Sequence, residues 1–261
     1  MTARPALIIC MGTSGCGKST VGLGIAKALE IPFIDGDDLH PANNVAKMSA
    51  GQPLTDEDRI PWLHKVRETA VLLTSSAGLE ALDNPTAPET ADEAEDRAVE
   101  HELHAALQRI HPESLAARLE KRTGSDGQGK RPRQREAIVV ACSALTVQYR
   151  NLLRGEEARF RLPDGREITS EKKLEPHIET FFVYLQGTRT LLLNRMQHRQ
   201  GHFMKASMLD SQLSTLQEPH ETDEVNISVV KLGTGADEAT ERGKEAVIGE
   251  AIEKMTSRLG A

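Results

Sequence analysis

A glycine-rich run near the start of the chain restricts its fold and chemistry more than any other segment. It follows a short apolar stretch at residues 6–11 and has the pattern G-x-x-x-x-G-K-[ST], in full Gly12, Thr13, Ser14, Gly15, Cys16, Gly17, Lys18 and Ser19. In such a phosphate-binding loop (P-loop) the backbone N–H groups converge on one point, where the next helix adds the positive end of its dipole. We predict that these residues and Thr20 bind a nucleoside triphosphate, with Lys18 on its phosphates and Ser19 on Mg²⁺.

The residues on either side of the run agree with this prediction. The apolar stretch at 6–11 is typical of a buried parallel strand, and residues 19–29 place Val21, Ile25 and Leu29 at helical spacing. The alternative is a glycine turn between a strand and a helix with an unrelated lysine. The order of strand, loop and helix favours phosphate binding over that alternative.

Strand and helix patterns then alternate along the chain. Short apolar runs predict strands at 31–34, 137–142, 181–185 and 225–230, and helical spacing predicts helices at 59–74, opened by Pro61, and at 237–259. Alternation of this kind predicts an α/β fold with a central parallel sheet covered by helices on both faces, a three-layer α/β/α arrangement. We expect one domain over residues 1–261.

Two polar stretches interrupt this alternation and are predicted to be surface insertions. Residues 75–136 begin acidic and end basic and glycine-rich, with an amphipathic helix predicted at 101–119, and their composition favours partial disorder. Residues 155–176 contain a predicted turn at 163–165.

Composition limits the partners and the location of the protein. The formal net charge is −7, which argues against nucleic-acid binding through the whole surface, and no apolar stretch approaches the length of a membrane span. The three cysteines, Cys10, Cys16 and Cys142, are too few and too widely spaced for a disulfide framework or a zinc cluster. We expect a cytoplasmic protein that binds neither nucleic acid nor membrane.

A second acidic site follows the second predicted strand, where Asp35, Gly36 and Asp37 lie in sequence. Ligands of open parallel sheets bind beyond the carboxyl ends of the strands, so both carboxylates should face the crevice of the P-loop. On an extended chain they would lie on one side, where one can hold Mg²⁺ and the other accept a proton. The alternative is a simple Asp-Gly turn.

Six segments, in this order, resemble those of the gluconokinase family. They are residues 11–19, 35–41, 54–63, 141–150, 199–203 and 216–219. The chain departs from the family pattern at Thr146, where a lysine is usual, and in the two insertions, which compact bacterial members lack. If the missing lysine binds an anion, Arg150 is a nearby replacement.

The resemblance implies a shikimate- and adenylate-kinase-like fold with a mobile lid, here at about 195–205. It implies ATP and Mg²⁺ as cofactors and phosphorylation of gluconate at its terminal hydroxyl to 6-phosphogluconate. A homodimer is a candidate assembly, and the sequence leaves the oligomeric state open. Two alternatives remain: a P-loop kinase with a shikimate- or nucleotide-type acceptor, and a non-catalytic nucleotide-binding interaction protein.

Carried onto this sequence, the resemblance assigns roles to individual residues. Asp37 would position the hydroxyl and accept its proton, while Asp35 and Ser19 would hold Mg²⁺. Arg59 would bind the sugar-acid carboxylate, unless it only pairs with Asp56 or Asp58. His40 and His202 would contact the substrate. Lys18, Arg195 and Arg199 would stabilise the charge of the phosphates during catalysis, and Pro219 would lie near the adenine. His40 has the alternative of an exposed loop position, and Trp62 is expected in the core.

Overall fold

The computed structural model describes residues 4–75, 136–171, 178–198, 206–234 and 240–260. Nearly all of the first predicted insertion, with its helix at 101–119, and lid residues 199–205 lie outside these ranges. The described strands are β1 Ala6–Met11, β2 Phe33–Asp35, β3 Ala137–Ala141, β4 Ala158–Arg161, β5 Glu167–Ser170, β6 Glu179–Gln186, β7 Ile227–Lys231, β8 Gly233–Thr234 and β9 Thr240–Glu241. The described helices are α1 Lys18–Ala28, α2 Ala42–Ser49, α3 Asp56–Thr74, α4 Val147–Arg154, α5 Arg189–His198, α6 Ala206–Thr215 and α7 Lys244–Leu259, with a 3₁₀ turn at Gly36–Leu39.

The central sheet has five parallel strands in the order β2-β3-β1-β6-β7. Both of its faces are apolar and covered by helices: Leu7 and Ile9 of β1 pack with α3 and α4, whereas Ile8 and Cys10 pack with α1 and α7. The predicted three-layer α/β/α fold is therefore confirmed. Cys10 and Asp35 are both paired with Ala141, so the P-loop and Asp35 leave the sheet at the same edge.

Two predicted helices begin at other residues than expected. α3 starts at Asp56 because Thr55 and Asp58 form a capping box, and Pro61 lies in its second turn instead of opening it. The last helix starts at Lys244, not at 237, and the preceding Thr240–Glu241 pairs with Gly233–Thr234 as a short antiparallel ribbon.

The second predicted insertion contains regular structure. β4 and β5 form an antiparallel hairpin that pairs Phe160 with Ile168 and turns at Gly165, inside the predicted turn. Ala158, Phe160 and Leu162 are buried, so one side of this hairpin belongs to the core. Residues 172–177 lie outside the described ranges.

None of the helices in the described ranges is both long enough and apolar enough to cross a membrane.

Candidate active site

The P-loop is shaped by glycines in conformations that other residues rarely adopt. Gly12, Gly15 and Gly17 all have positive φ angles. A Cβ atom on Gly15 would lie 2.8 Å from Met196 Cγ and 3.0 Å from the Leu192 carbonyl oxygen. Only glycine lets α5 approach the loop this closely.

Hydrogen bonds that involve Lys18 and Gln212 help to hold the loop. The Lys18 ammonium donates to the Thr13 carbonyl at 3.1 Å, so the lysine folds back over the loop that it follows. The Ser14 N–H donates to Gln212 Oε1 of α6 at 2.7 Å. Nothing in the sequence pattern indicated Gln212, because its contact joins residues 198 positions apart.

Ser19 and Asp35 lie side by side at the carboxyl edge of the sheet. The Ser19 hydroxyl donates to Asp35 Oδ2 at 2.6 Å, and the other oxygen of Asp35 accepts the Asp37 N–H at 3.2 Å. Asp35 thereby caps the 3₁₀ turn, so the expectation of an extended Asp-Gly-Asp segment is wrong. The Asp37 side chain is 84% exposed and open to the crevice.

This oxygen pair fits Mg²⁺. In the described part of the chain no group of three or more His, Cys, Asp or Glu side chains is arranged to hold a metal ion. Mg²⁺ commonly takes only one or two protein oxygens and completes its shell with nucleotide phosphates and water. Ser19 and Asp35 are a donor set of that kind.

A cavity of about 530 Å³ opens beside the P-loop. Arg195 lines it, donating to the Cys16 carbonyl at 3.1 Å and to Glu241 Oε1 at 2.8 Å. No sequence motif marks Glu241 or the other lining residues that follow β7. The lining comprises Gly15, Cys16, Gly17, Thr20, Val21, Asn194, Arg195, Glu241, Lys244 and Val247.

On the other side of the P-loop, His40 and Trp62 form a stacked pair. Their ring centroids are 4.1 Å apart, and Trp62 is buried as expected, donating to the Gly36 carbonyl at 2.7 Å. The His40 side chain is only 4% exposed, which excludes an exposed loop position, and its Nε2 lies 4.0 Å from Asp37 Oδ1. Burial, aided by the Arg59 charge, lowers the pKa of His40 to about 4, so this ring is neutral at physiological pH.

Arg59 of α3 is held by Tyr149 of α4. Its guanidinium lies 5.7 Å from the Tyr149 ring centroid and donates to the hydroxyl at 3.3 Å. That hydroxyl in turn donates to Asp56. Burial and the Asp56 hydrogen bond together raise the pKa of Tyr149 to about 12, against the opposing Arg59 charge. Asp58 pairs with Lys47, so Arg59 meets Asp56 only through the tyrosine.

Arg150 does not replace the missing lysine. It is fully buried and donates from Nε to Glu224 Oε2 at 2.8 Å and from Nη1 to the Ala144 carbonyl at 3.1 Å. The Glu224 carboxylate pairs with this buried charge, so the expectation that Arg150 serves an anion is wrong. Thr146 caps α4 by accepting the Tyr149 N–H at 3.2 Å.

Of three further predicted site residues, one lies away from this geometry and two fall outside the described ranges. Pro219 is buried, and the neighbouring Gln217 bonds to the loop after β3 through the Leu145 carbonyl at 2.8 Å. The structure therefore does not place Pro219 in the cavity beside the P-loop. Arg199 and His202 lie outside the described residues.

The cysteines are buried free thiols. Burial raises the pKa of Cys142 to about 12 and that of Cys16 above its ordinary value. These thiols are small apolar side chains of the core rather than reactive groups.

The site combines a P-loop that carries Lys18 and Ser19, the Asp35 carboxylate beside it and the Arg59 guanidinium. Together with the α/β/α fold, these features define the class of protein, a P-loop small-molecule kinase. A family model described as shikimate kinase matches residues 14–72.

Comparison with curated proteins identifies the family within this class of kinases. The chain is 30% identical to the thermoresistant gluconokinase of Escherichia coli K12, over 87% of this chain and 84% of that protein. It is 32% identical to the gluconokinase of Gluconobacter oxydans 621H, over 86% and 83%. A solved gluconokinase from Sinorhizobium meliloti 1021 superposes with a TM-score of 0.58 at 29% identity, over 100% and 96%. The chain belongs to the gluconokinase family.

Proposed function

We propose that this protein transfers the γ-phosphoryl group of ATP to the terminal hydroxyl of D-gluconate, forming 6-phospho-D-gluconate and ADP. Membership of the gluconokinase family supports both the donor and the acceptor. The proposal includes a single-domain, cytoplasmic enzyme whose partner is a small molecule rather than nucleic acid or membrane.

In the donor half, the P-loop amides and Lys18 would bind the phosphates, with the cavity lined by Arg195 as the space for the rest of the nucleotide. Ser19 and Asp35 would hold Mg²⁺. When bound, the ion neutralises charge on the β- and γ-phosphates. Arg195 already lies on the loop through the Cys16 carbonyl, which supports a phosphate role for its charge.

In the acceptor half, Arg59 would bind the gluconate carboxylate, because a guanidinium matches a carboxylate in a bidentate fork. His40 is neutral and offers a ring N–H to a sugar hydroxyl. Asn44 Nδ2, an amide donor, lies 3.3 Å from His40 Nδ1. An amide donor at Nδ1 favours the ring proton on Nε2, the nitrogen that lies 4.0 Å from Asp37 Oδ1.

In the transfer, the gluconate hydroxyl oxygen forms a bond to the γ-phosphorus while the bond from phosphorus to the bridging oxygen of ADP breaks. The hydroxyl proton passes to Asp37, and Lys18 and Arg195 stabilise charge on the transferring group. Arg199, His202 and Pro219, a lid at 195–205 and a homodimer remain predictions.

One observation carries the proposal: Ser19, Asp35 and Asp37 are joined by hydrogen bonds at the sheet edge where His40 lies against Asp37. The test is a coupled ADP-release assay with ATP, Mg²⁺ and a panel of acceptors. We expect gluconate to be the best substrate, ahead of other sugar acids, shikimate and nucleoside monophosphates. Preference for shikimate or a nucleotide, or no turnover with any acceptor, would overturn it.

A further inference from the structure

We infer that the β4–β5 hairpin positions the acceptor half of the active site by holding Tyr149, which in turn orients Arg59. The inference rests on the proposed function, in which Arg59 binds the gluconate carboxylate. It gives the second insertion a role in substrate binding that no sequence motif indicates.

The first contact is between two aromatic rings. Phe160 of β4 stacks on Tyr149 of α4, with centroids 6.0 Å apart and planes inclined by 26°. Both rings are almost completely buried. Beside them, Gln148 Oε1 accepts the Arg159 N–H at 2.8 Å, so the hairpin is attached to α4 by a hydrogen bond as well.

The hairpin also reaches α3, the helix that carries Arg59. Arg166 pairs with Glu57 at 2.9 Å, and the Ser170 hydroxyl lies 3.1 Å from His64 Nε2. The hairpin thus bridges the two helices whose side chains meet at the Tyr149 hydroxyl. These contacts add to the direct packing of α3 on α4 and to the Arg67 hydrogen bond to the Leu153 carbonyl.

The contacts of the hairpin lead through Tyr149 to Arg59, the residue proposed to bind gluconate. The Tyr149 hydroxyl accepts a hydrogen bond from Arg59 and donates one to Asp56, and its ring lies under the guanidinium. A cation that is already oriented loses less conformational entropy when it binds an anion. Among the described residues, the hydrogen bonds and ion pairs of the hairpin go to α3, α4 and the hairpin itself. The effect should therefore fall on gluconate and not on ATP.

The experiment measures KM for gluconate and for ATP separately in Tyr149→Phe and Phe160→Leu. Tyr149→Phe keeps the ring and removes the hydroxyl, and we expect the gluconate KM to rise about tenfold, near the lower end for the loss of one hydrogen bond to a charged group. Phe160→Leu keeps an apolar side chain, and we expect a rise of about threefold through looser support of Tyr149. The ATP KM should stay within about twofold in both.

Two controls separate positioning from general destabilisation. Arg159→Ala removes the exposed side-chain ion pair to Glu157 but keeps the backbone N–H that bonds to Gln148, and it should leave both KM values unchanged. Met255→Ala opens a cavity in α7 on the opposite face of the sheet and should lower thermal stability without a selective change in the gluconate KM.

Arg59→Ala distinguishes this inference from the function on which it rests. An unchanged gluconate KM in Arg59→Ala would overturn the assigned acceptor site itself. A raised KM in Arg59→Ala with an unchanged one in Phe160→Leu would overturn only the role of the hairpin. Equal changes in both KM values, following the loss of thermal stability as in Met255→Ala, would also overturn it.

Discussion

The two halves of the active site are built in different ways. In the proposed function the donor half is one continuous segment, residues 12–19, in which Gly12, Gly15 and Gly17 have positive φ angles that shape the loop. The proposed acceptor half consists of side chains from separate elements: the 3₁₀ turn with Asp37, α3 with Arg59 and α4 with Tyr149. Tyr149 and Arg59 are 90 positions apart in sequence and meet only because α3 and α4 pack on the same face of the sheet.

This difference has a physical consequence. A backbone site depends on glycines and on the start of one helix, so it forms wherever the local sequence permits. A side-chain site depends on the packing of several elements, so a substitution at a distance can disturb it. Variants of the two halves should therefore separate kinetically, with donor variants acting on ATP or on kcat and packing variants acting on gluconate.

The largest effect is expected at the donor half. Lys18→Met removes the cation that reaches the phosphates, and we expect kcat/KM for ATP to fall about 10³-fold, as for the loss of a strong transition-state donor. Lys27→Met, in the last turn of the same helix, should stay within about twofold. Activity of Lys18→Met within tenfold of the parent would contradict the donor site.

Asp37→Asn tests whether Asp37 accepts the proton of the gluconate hydroxyl. Loss of the proton acceptor should lower kcat about 10²-fold while nucleotide binding, measured by calorimetry, stays the same. Asp38→Asn, the exposed neighbour in the same 3₁₀ turn, serves as the matched control and should keep the parent kcat. A parent-like kcat in Asp37→Asn would remove Asp37 as the base.

His40 should make the packing of the acceptor half sensitive to acid. Its pKa is lowered from 6.5 to about 4 by burial and by Arg59, with Asp37 facing it on the other side. Between these pH values the unfolded chain binds a proton that the folded chain does not, so the free energy of unfolding falls as pH drops from 6.5 toward 4. We expect this loss to be about 2 kcal/mol.

Urea denaturation at pH 6.5 and pH 4.5 measures this loss. The His40→Gln protein should lose less stability than the parent over the same interval, whereas the exposed-site variant His220→Gln should follow the parent. Parallel losses in the parent and in His40→Gln would contradict the assignment.

The smallest effect is expected at the contact between α6 and the P-loop. Gln212→Met removes the acceptor of the Ser14 N–H and should raise the ATP KM about fivefold with little change for gluconate, the size of one hydrogen bond. As a matched control, Gln148→Met removes the glutamine acceptor of the Arg159 N–H, a bond between α4 and the hairpin. This variant should leave the ATP KM unchanged. A change in the gluconate KM alone in Gln212→Met would contradict a donor-side role.

The donor half could be predicted from sequence because its chemistry is local. The P-loop pattern specifies the glycines, the lysine and the serine at fixed spacing, and the strand before it is a continuous apolar run. The sheet followed from the same kind of run in β3 and β6. Asp35 was found because the carboxyl ends of parallel strands meet at one edge.

The acceptor half could be predicted only in part. Arg59 and His40 came from resemblance, while the Tyr149 hydroxyl and Gln212 depend on contacts between distant residues that no spacing reveals. The hairpin had a signal that charge obscured: Ala158, Phe160 and Leu162 alternate with polar residues, as in a half-buried strand. Arg150 was misjudged because its partner, Glu224, lies 74 positions away.

The most direct measurement is a crystal structure of the protein with Mg²⁺, a non-hydrolysable ATP analogue and D-gluconate. We expect the gluconate carboxylate on the Arg59 guanidinium and the terminal hydroxyl within hydrogen-bond distance of Asp37, facing the γ-phosphate above Lys18. A gluconate molecule bound with its carboxylate away from Arg59, or with its terminal hydroxyl out of reach of Asp37 and the γ-phosphate, would contradict it.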